Sequence, residues 1–515
     1  MIAVLLSAAL APRAQGQAST YEQLQTFSSL INQIRMSYVD TVTYAQLVHA
    51  AINGVLSSLD PHSRFESRTM AERELAYQSG KLGGTGIVLE DVDGALTVLS
   101  LLPNSPAARA GISPGDRLLS IDDTTVDGLS SYEASSRLLG DKGRKIQLLF
   151  ERGPRLGPDT VQVRIKCDFL APSSVGAVRL VTPATGYIEL TGFNFKGGDE
   201  VEHAVKDLQG RGATQLLLDL RGNPGGFVPE AVEIAALFLP EQTLVFRVEG
   251  RGGRVLDFDR TQRSGPFRDL PLILLIDQST ASAAEAFAAS LQDHDRALVL
   301  GRRSFGKALI QQAFPIPPQG DLVWLTVGRV ISPSGRLIQR AYRGLRPGQY
   351  YSFAGRTGAA ADTTEVFHTD HGRPVRGGGG IAPDVPLPRT ADLPVWFTIA
   401  ADSGWPEAVS DSVAGELGKD AGARSRWLEA REEWQRQLVE PFLLRVRSRL
   451  GVTAHVDSAL AARLGRILAY RVAEVRWGPE GGDEFRTRND PDIQAAMAYW
   501  PRLSELLAGD GRKLQ

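Results

Sequence analysis

The sequence predicts a multidomain α/β protein with N-terminal helices, a small β-rich domain, an α/β core and a helical C-terminal region. Apolar residues near the start recur at three- and four-residue spacing, which is typical of amphipathic helices. From residue 82 the pattern changes to short β runs divided by glycine turns. From residue 171 apolar strands alternate with helical segments, which is typical of a parallel sheet. At about 150 residues per domain, 515 residues suggest three or four domains.

The first 18 residues are predicted to be a signal peptide. Residues 2–11 (IAVLLSAALA) are apolar and close on an A-x-A cleavage pattern at Ala9-Leu10-Ala11. Ten residues are too few to span a bilayer, which needs about 20. A signal peptide implies export to the periplasm or cell envelope of a bacterium, or secretion. The basic residues that usually open a signal are missing, so a buried terminal strand or helix and a different start codon stay open as alternatives.

Residues 19–79 are predicted to be mainly helical. Apolar residues between 24 and 38 fall on one helix face, and a second helix over residues 44–59 ends at the stop signal Asp60-Pro61. The β-rich domain spans residues 80–168 and contains strand-like runs such as KIQLLFE and TVQVRIK, with short helices between them.

The α/β core is predicted over residues 169–390. The runs TQLLLDL and LILLID are apolar throughout, as expected of strands buried on both faces, and a helical segment follows each of them. Residues 341–379 are rich in Gly, Arg and Tyr without a clear period, which predicts a long surface insertion. The remaining residues, 391–515, are predicted to be helical.

The composition excludes several classes of protein. Lys and Arg number 57 against 59 Asp and Glu, so the net charge of −2 lacks the basic excess of nucleic-acid or anionic-membrane binders. The one cysteine, Cys167, excludes an internal disulfide and a cysteine-based zinc site, and we expect it to be buried. His368 and His371 lie close to Asp370, but no third ligand follows at a firm spacing, so we expect no metal.

Two short motifs match catalytic patterns without the required surroundings. Residues 301–307 (GRRSFGK) fit the start of a phosphate-binding P-loop, yet Ala308 stands where that loop needs Ser or Thr, and an extended segment follows. Residues 111–115 (GISPG) fit G-x-S-x-G, yet Ser113 precedes a turn and a strand instead of a helix. Both motifs are therefore interpreted as ordinary turns.

The most informative pair of residues is Ser282 and Lys307. Ser282 follows the strand LILLID at a predicted helix N-terminus, where N–H groups and the helix dipole favour a developing negative charge. Lys307 lies 25 residues later, after a helix, a strand and a turn, so the fold can return it to the serine. A lysine amine acts as a base only when neutral, and burial favours the neutral form. The residues 223–226 (NPGG), after another buried strand, can expose N–H groups to an oxyanion. Taken singly, these features are also typical of a capping serine, a surface lysine and a plain turn.

Four segments together resemble the carboxyl-terminal processing peptidases, the tail-specific serine proteases. They are LDPHSRF, SPAARAGISPGDRLLSID, LLLDLRGNPGG and STASAAEAFAASLQDHDRALVLGRRSFGKALIQ, and the resemblance spans about residues 21–386. It implies an α/β (ClpP/crotonase-like) protease core that needs no cofactor and no metal. The site residues that it implies are the nucleophile Ser282, the general base Lys307, the orienting Gln311, an oxyanion hole at Gly225 and Ala283, and the supporting Glu285 and Asp293.

The sequence departs from the family pattern at three places. Ala284 replaces a common second serine, Ala308 replaces a common glycine, and about 40 residues separate two segments that the family joins closely. The sequence does not decide whether this insertion restricts the access of substrate to the site. His294 is not a substitute base, because 12 residues along a helix place it about 18 Å from Ser282.

Residues 80–168 resemble a PDZ domain, which binds a peptide C-terminus as an added strand. The resemblance implies that Gly83, Gly84, Thr85 and Gly86 form the loop that holds the carboxylate and that Ile87 lines the pocket for the last side chain. We therefore expect a serine endopeptidase that cleaves proteins near their C-termini, with proteins or peptides that expose C-termini as partners and no nucleic acid. An adaptor or a second copy as a further partner, and a catalytically weak PDZ scaffold, stay open as alternatives.

Overall fold

The computed structural model describes residues 20–507 apart from several short gaps. The gaps are residues 79, 93–94, 103–104, 114, 130, 153–158, 171, 319, 346, 352–364, 389–392 and 452–455. The predicted signal peptide, residues 1–18, and much of the predicted insertion therefore lie outside the described residues.

The chain divides into two compact units, of which the first comprises residues 1–67 and 312–326. It contains helices α1 (Thr20–Ser37) and α2 (Tyr44–Ser57) and strand β1 (Arg64–Glu66), which pairs antiparallel with residues 322–324. A capping box begins α2, since Thr43 accepts a hydrogen bond from the Gln46 N–H at 3.2 Å and returns one to its side chain at 2.8 Å. The apolar face predicted for α1 is largely exposed in this unit, and Ile31 is its one buried residue.

The second unit, residues 68–311 and 327–515, begins with a helix and the β-rich region. Its elements here are α3 (Arg68–Gln78), β2 (Gly83–Gly84), β3 (Ile87–Val92), β4 (Ala95–Leu101), α4 (Pro106–Arg109), β5 (Arg117–Ile121), β6 (Thr124–Thr125), α5 (Ser131–Arg137), β7 (Lys145–Arg152), β8 (Asp159–Lys166) and β9 (Asp168–Phe169). The strands form an antiparallel sheet in the order β3-β4-β5-β7-β8, with β6 beside β5, and β2 pairs separately with β9. Cys167 is buried in the core of this region.

The α/β core follows in the same unit, except for residues 312–326, which belong to the first unit. Its elements are β10 (Val175–Thr182), β11 (Thr185–Leu190), α6 (Gly197–Gly210), β12 (Gln215–Asp219), α7 (Val228–Ala236), β13 (Leu244–Glu249), β14 (Val255–Arg260), β15 (Leu272–Ile276), α8 (Ala283–Asp293), β16 (Leu298–Gly301), β17 (Leu309–Ile316), β18 (Asp321–Ile331), α9 (Pro347–Tyr351), β19 (Val366–His368), β20 (Pro374–Arg376) and β21 (Val385–Pro386). The central sheet has the order β10-β11-β12-β15-β16-β21, and all neighbours except β10 and β11 are parallel. The carboxyl ends of β12, β15 and β16 therefore lie side by side.

Both faces of the central sheet are covered, as the apolar strand runs predict. Leu216 and Leu218 of β12 pack in one cluster with residues of helices α6, α7 and α8. Leu217, between them, packs on the opposite face against Ile493 and neighbouring residues near the C-terminus. The alternation follows from the two-residue period of a strand.

The predicted surface insertion is partly buried and regular. Strands β19 and β20 form a hairpin, which is a difference from the irregular segment expected from composition. Between them, Arg373 is 5% exposed and forms ion pairs with Asp295 and Asp384. These acids lie 78 and 11 residues away in the sequence, so local pattern gives no signal for the contact.

The C-terminal region is helical, as predicted. Its helices are α10 (Val395–Asp402), α11 (Trp405–Glu416), α12 (Ala421–Glu429), α13 (Arg431–Trp434), α14 (Glu440–Leu450), α15 (Ser458–Asn489), α16 (Pro491–Ala496) and α17 (Leu503–Leu507). An aromatic cluster that includes Trp427, Trp434, Phe442 and Phe485 forms its core. The predicted fold class is thus confirmed: helices, a β-rich domain, an α/β core and a helical C-terminal region follow one another.

Candidate active site

Ser282 occupies a strained turn between strand β15 and helix α8. Its backbone has φ 58° and ψ −121°, a region that residues other than glycine rarely enter. The small neighbours allow this, since Ala283 and Ala284 are buried against the core. A strained turn that follows a strand and begins a helix is the geometry that exposes a nucleophilic serine. The sequence predicted the strand and helix but not the strain.

The carboxylate of Glu285 joins the serine turn to the lysine loop. Its Oε2 accepts the Ser282 N–H at 3.0 Å and the Lys307 N–H at 2.8 Å. Its Oε1 accepts the Gly306 N–H at 2.6 Å and the Ser304 hydroxyl at 2.5 Å. Ser282 and Lys307 are thus bound through their backbones to the same oxygen atom.

Glu285 is completely buried, which raises its pKa to about 7. The donors from Ser304, Lys307, Gly306 and Ser282 act in the opposite direction, because each one favours the charged carboxylate. This carboxyl group therefore changes charge near neutral pH, inside the structure that holds both loops.

Gly225 lies directly against the serine turn. A Cβ atom at Gly225 would lie 2.6 Å from the Ala281 carbonyl oxygen, 2.8 Å from the Ala283 nitrogen and 2.8 Å from the Ser282 Cβ. Its φ of 95° also requires glycine. The Ala281 N–H donates to the carbonyl of Asn223 at 2.9 Å, which fixes the two turns together.

The two predicted oxyanion donors differ in their hydrogen bonds. The Gly225 N–H donates to the Asn223 side-chain oxygen at 2.9 Å. The Ala283 N–H, at the first position of α8, has no acceptor in the part of the chain that the structure describes. Helix N-termini leave such donors open. Ala283 is therefore ready to donate, whereas Gly225 already has one acceptor.

Lys307 lies in the segment between β16 and β17 and is half-buried. The Ala308 N–H next to it donates to the Gln339 side-chain oxygen at 2.7 Å, so the loop is held on both sides of the lysine. Gln311 lies four residues further on, in β17, and is also half-buried. The expectation that Gln311 orients the amine stays a prediction.

Asp293 and His294 lie at the far end of α8 from Ser282. Asp293 accepts hydrogen bonds from the fully buried Arg336 at 2.7 Å and from the Ser334 N–H at 3.0 Å. Both ring nitrogens of His294 are engaged, with Asp370 at 2.7 Å and the Leu244 carbonyl at 2.8 Å. These contacts give both residues a structural environment about 16–18 Å along the helix from the serine.

Ser304, Gln339 and Tyr350 support the lysine loop, and sequence reasoning missed all three. The Ser304 hydroxyl accepts the Ile381 N–H at 2.7 Å while it donates to Glu285. Gln339 donates to the buried Tyr350 hydroxyl at 3.3 Å. Ser304 lies inside the GRRSFGK run, two residues before Gly306, and this position was the feature of the sequence that could have identified it as part of the site.

The two rejected motifs behave as expected. Residues 302–308, which include most of GRRSFGK, are irregular and lead into strand β17, so no helix follows as a P-loop requires. Ser113 donates its N–H to Asp116 at 2.9 Å in a turn that leads into β5. The intervening Pro114 lies outside the described residues.

The glycine loop predicted to bind a carboxylate is tied into the β-rich region. Gly83 and Gly84 form β2, and the Thr85 N–H donates to the Leu138 carbonyl at 3.1 Å. The Thr85 hydroxyl is buried and has no hydrogen-bond partner within the described ranges. Ile87 begins β3, an edge strand of the sheet as far as it is described, and helix α5 packs beside β3.

The described residues contain neither a cluster of metal ligands nor a membrane-spanning helix. Within the described residues, no group of three or more His, Cys, Asp or Glu could hold a metal ion. Among the helices of that same part of the chain, none combines the length and apolar character that a bilayer span requires.

Comparison with known proteins identifies relatives of both regions. A family model for Peptidase family S41 matches residues 184–351, and one for the PDZ domain matches residues 97–152. The carboxy-terminal-processing protease of Bartonella bacilliformis is 34% identical over 348 residues, which cover 65% of this chain and 78% of that protein.

Two further proteins are similar to parts of this chain. The carboxy-terminal processing protease CtpA of Bacillus subtilis is 29% identical over 337 residues, which cover 65% of this chain and 70% of that protein. A solved photosystem II D1 C-terminal processing protease has a TM-score of 0.38 at 23% identity, over 70% of this chain and 92% of its own. On the identity and coverage of the Bartonella relative, the chain belongs to the carboxy-terminal processing proteases of Peptidase family S41, which are serine-type hydrolases, and it carries a PDZ domain.

Proposed function

We propose that this chain is a serine endopeptidase that cleaves proteins near their C-termini, with Ser282 as nucleophile and Lys307 as general base. The observation that carries the proposal is the shared acceptor Glu285, whose Oε2 bonds to the backbones of both residues. The strained backbone of Ser282 and the open N–H of Ala283 beside it support the same roles.

The proposed reaction is acyl transfer in two steps. Lys307 takes the Ser282 hydroxyl proton as the oxygen attacks the peptide carbonyl, and the oxyanion is stabilised by the N–H groups of Ala283 and Gly225. The C–N bond then breaks, and Lys307 returns the proton to the leaving amine. Water then attacks the acyl-enzyme while Lys307 takes one of its protons, the ester bond to Ser282 breaks, and Lys307 returns that proton to the serine oxygen as the shortened protein leaves. Gln311 is proposed to orient the amine.

We propose that the PDZ domain binds the substrate C-terminus or a regulatory one. A peptide would add to the edge of β3 and place its carboxylate at the loop of residues 83–86, with Ile87 in the pocket wall. The buried hydroxyl of Thr85, which has no partner among the described residues, supports this, because a carboxylate would provide the missing acceptor.

The decisive experiment compares cleavage of a denatured protein by the parent, Ser282→Ala and Lys307→Ala. We expect both variants to lose at least about 10³-fold in kcat/KM, and a fluorophosphonate probe to label the parent but not Ser282→Ala. Ser290→Ala and Lys206→Ala are matched controls. The Ser290 hydroxyl donates to the Phe287 carbonyl within α8, and the Lys206 amine pairs with Glu202 on the surface.

Several outcomes would contradict the proposal. Equal cleavage by parent and both variants would remove the Ser/Lys mechanism, and inhibition by EDTA or dependence on ATP would replace it with another chemistry. Peptide binding without any Ser282-dependent cleavage would favour the PDZ scaffold. A flat rate between pH 5 and pH 9 would count against a neutral lysine base.

Export is proposed on the sequence of residues 1–18. We expect the mature chain, isolated from the cell envelope or the medium of a bacterial host, to begin shortly after Ala11, as N-terminal sequencing would report. An uncleaved chain found in the cytoplasmic fraction would overturn this assignment.

A further inference from the structure

One carboxylate from the C-terminal region contacts both arginines that precede the catalytic loops. The Asp492 Oδ2 accepts from Arg221 at 2.8 Å and also from Arg302, and its Oδ1 accepts from the second Arg302 nitrogen at 2.9 Å. The side chains of Asp492, Arg302 and Arg221 are 9%, 15% and 19% exposed, so solvent screens these contacts weakly. In the sequence, Asp492 lies 271 residues from Arg221 and 190 from Arg302.

Each arginine is fixed at the base of its loop. Arg221 lies four residues before Gly225, and its Nε and Nη2 donate to Asp219 at 2.9 Å and 2.7 Å. Arg302 lies five residues before Lys307, and its N–H donates to the Ile276 carbonyl at the end of β15 at 3.0 Å. Each guanidinium therefore lies within four or five residues of a group to which a catalytic role is proposed.

The contact is polar and not a continuation of the apolar core. These residues line a cavity of about 440 Å³ between the carboxyl ends of the strands and helices α15 and α16, with Tyr187, Asp277 and Asp490 also in its wall. Asp490 accepts a third bond from Arg221, at 3.0 Å. Because most side chains that line the cavity are charged or polar, ion pairs and not apolar packing fix the arginines there.

We propose that Asp492 is a positioning residue for catalysis: by binding Arg221 and Arg302 together, it holds the oxyanion loop and the lysine loop in register. This assigns a role to the C-terminal region, and it rests on the proposed function of Ser282 and Lys307. The region then acts on the rate of the reaction and not only on stability, because it fixes two loops that must meet at one carbonyl carbon.

A matched control exists in the same cavity. Arg486 of the C-terminal region donates two bonds of 2.8 Å to Glu189 of β11, a strand to which no catalytic group is assigned. Asp492→Asn and Arg486→Gln therefore each remove a bidentate contact between the same two regions. We expect both variants to lower the melting temperature, but only Asp492→Asn to slow the reaction.

The test measures kcat, KM and backbone hydrogen exchange on the full chain. Asp492→Asn is expected to lower kcat by about 10- to 100-fold with KM within about twofold, and to speed exchange in residues 219–227 and 301–308. Arg486→Gln is expected to leave kcat and those two segments close to the parent. Arg302→Lys, which keeps the charge but loses the paired contact, is expected to show a smaller loss of kcat and covers the case that Asp492→Asn does not fold.

Equal kcat in the parent and Asp492→Asn, or equal losses in Asp492→Asn and Arg486→Gln, would overturn the proposal. Failure of the proposed function would differ from failure of this positioning role, because the Ser282→Ala variant would then still cleave the substrate. The exchange measurement does not depend on activity, so unchanged exchange in both loops would by itself reject the positioning role.

Discussion

The serine turn and the glycine loop of the PDZ domain are both proposed to present N–H groups to an oxygen of the substrate, yet they are built differently. At the serine turn, Glu285 accepts four donors, and Asp277 accepts the N–H groups of Gly222, Ser279 and Thr280 at 2.9–3.1 Å. In the glycine loop, backbone pairing holds residues 83–85, and the buried Thr85 hydroxyl has no partner within the described residues.

The difference follows from what each region has to do. A transition state exists too briefly to organise its surroundings, so its donors must be fixed in advance by the protein. A bound peptide is stable, and it can complete hydrogen bonds that the empty site leaves open. Changes at the serine turn should therefore act on kcat, and changes at the glycine loop should act on affinity.

The largest effect is expected from Gly225→Ala. The new methyl group would lie within 2.8 Å of Ala281, Ser282 and Ala283, so the serine and the donor beside it must move. Loss of one oxyanion donor alone costs about 10²- to 10³-fold in kcat, and displacement of the serine adds to this loss. We expect kcat/KM to fall by at least about 10³-fold, measured with the same denatured substrate.

Gly222→Ala is the control for that variant. Gly222 has a similar positive φ of 74°, but nothing lies within 4 Å of the position where its Cβ would stand. The strain of about 1–2 kcal/mol should lower stability while most of the activity remains. Similar losses of activity in both variants would show that the loop's flexibility, and not contact with the serine turn, explains the effect.

A smaller effect, dependent on pH, is expected from Glu285→Gln. In glutamine an NH2 group replaces one of the two carboxylate oxygens and faces groups that are themselves donors, so the serine turn and the lysine loop lose one of their two shared acceptor atoms. We expect kcat/KM at pH 8 to fall by about 10²-fold. The parent's profile should contain an ionisation near pH 7, from the pKa of about 7 of Glu285, that the variant lacks.

With rising pH, the stability of the protein is expected to change in the opposite direction to its activity. Because burial raises the folded-state pKa of Glu285 from 4.5 to about 7, the contribution of Glu285 to folding stability is greatest below pH 4.5 and decreases as the pH rises to 7. The decrease is about 3 kcal/mol by linkage, and Glu285→Gln should not show it. Glu230→Gln is the control, because the buried Glu230 also accepts backbone N–H groups, but those of Lys196 and Gly198 and not those of the serine turn or the lysine loop. A parent without any ionisation between pH 6 and pH 8 would contradict this role of Glu285.

Sequence reasoning was reliable where one segment carries its own signal. The runs TQLLLDL and LILLID predict buried parallel strands because apolar side chains on both faces need cover on both sides, and β12 and β15 occupy those runs. The serine and lysine roles came from resemblance, since neither residue is distinctive by itself.

Contacts between distant segments could not be predicted in the same way. Glu285 was expected to support the site, but its partners are mostly backbone N–H groups, which every residue except proline has. The strain at Ser282 depends on how three loops meet and leaves no pattern in the sequence. Likewise, nothing near Asp492 indicates a link to residues 190 and 271 positions earlier.

The smallest effect is expected in the glycine loop, from Thr85→Val. Valine has nearly the same shape, so the variant removes only the buried hydroxyl. Without ligand the variant should be as stable as the parent or slightly more so, because a buried hydroxyl without a partner is unfavourable.

If this hydroxyl donates to the peptide carboxylate, the Kd for a peptide with a free C-terminus should rise by about 5- to 20-fold in Thr85→Val, as titration calorimetry would report. A peptide with an amidated C-terminus should bind the parent more weakly, and the variant should cause little additional loss with it. Equal binding of the free peptide by the parent and Thr85→Val would place the carboxylate elsewhere, whereas a loss that is confined to the free peptide would identify Thr85 as its donor.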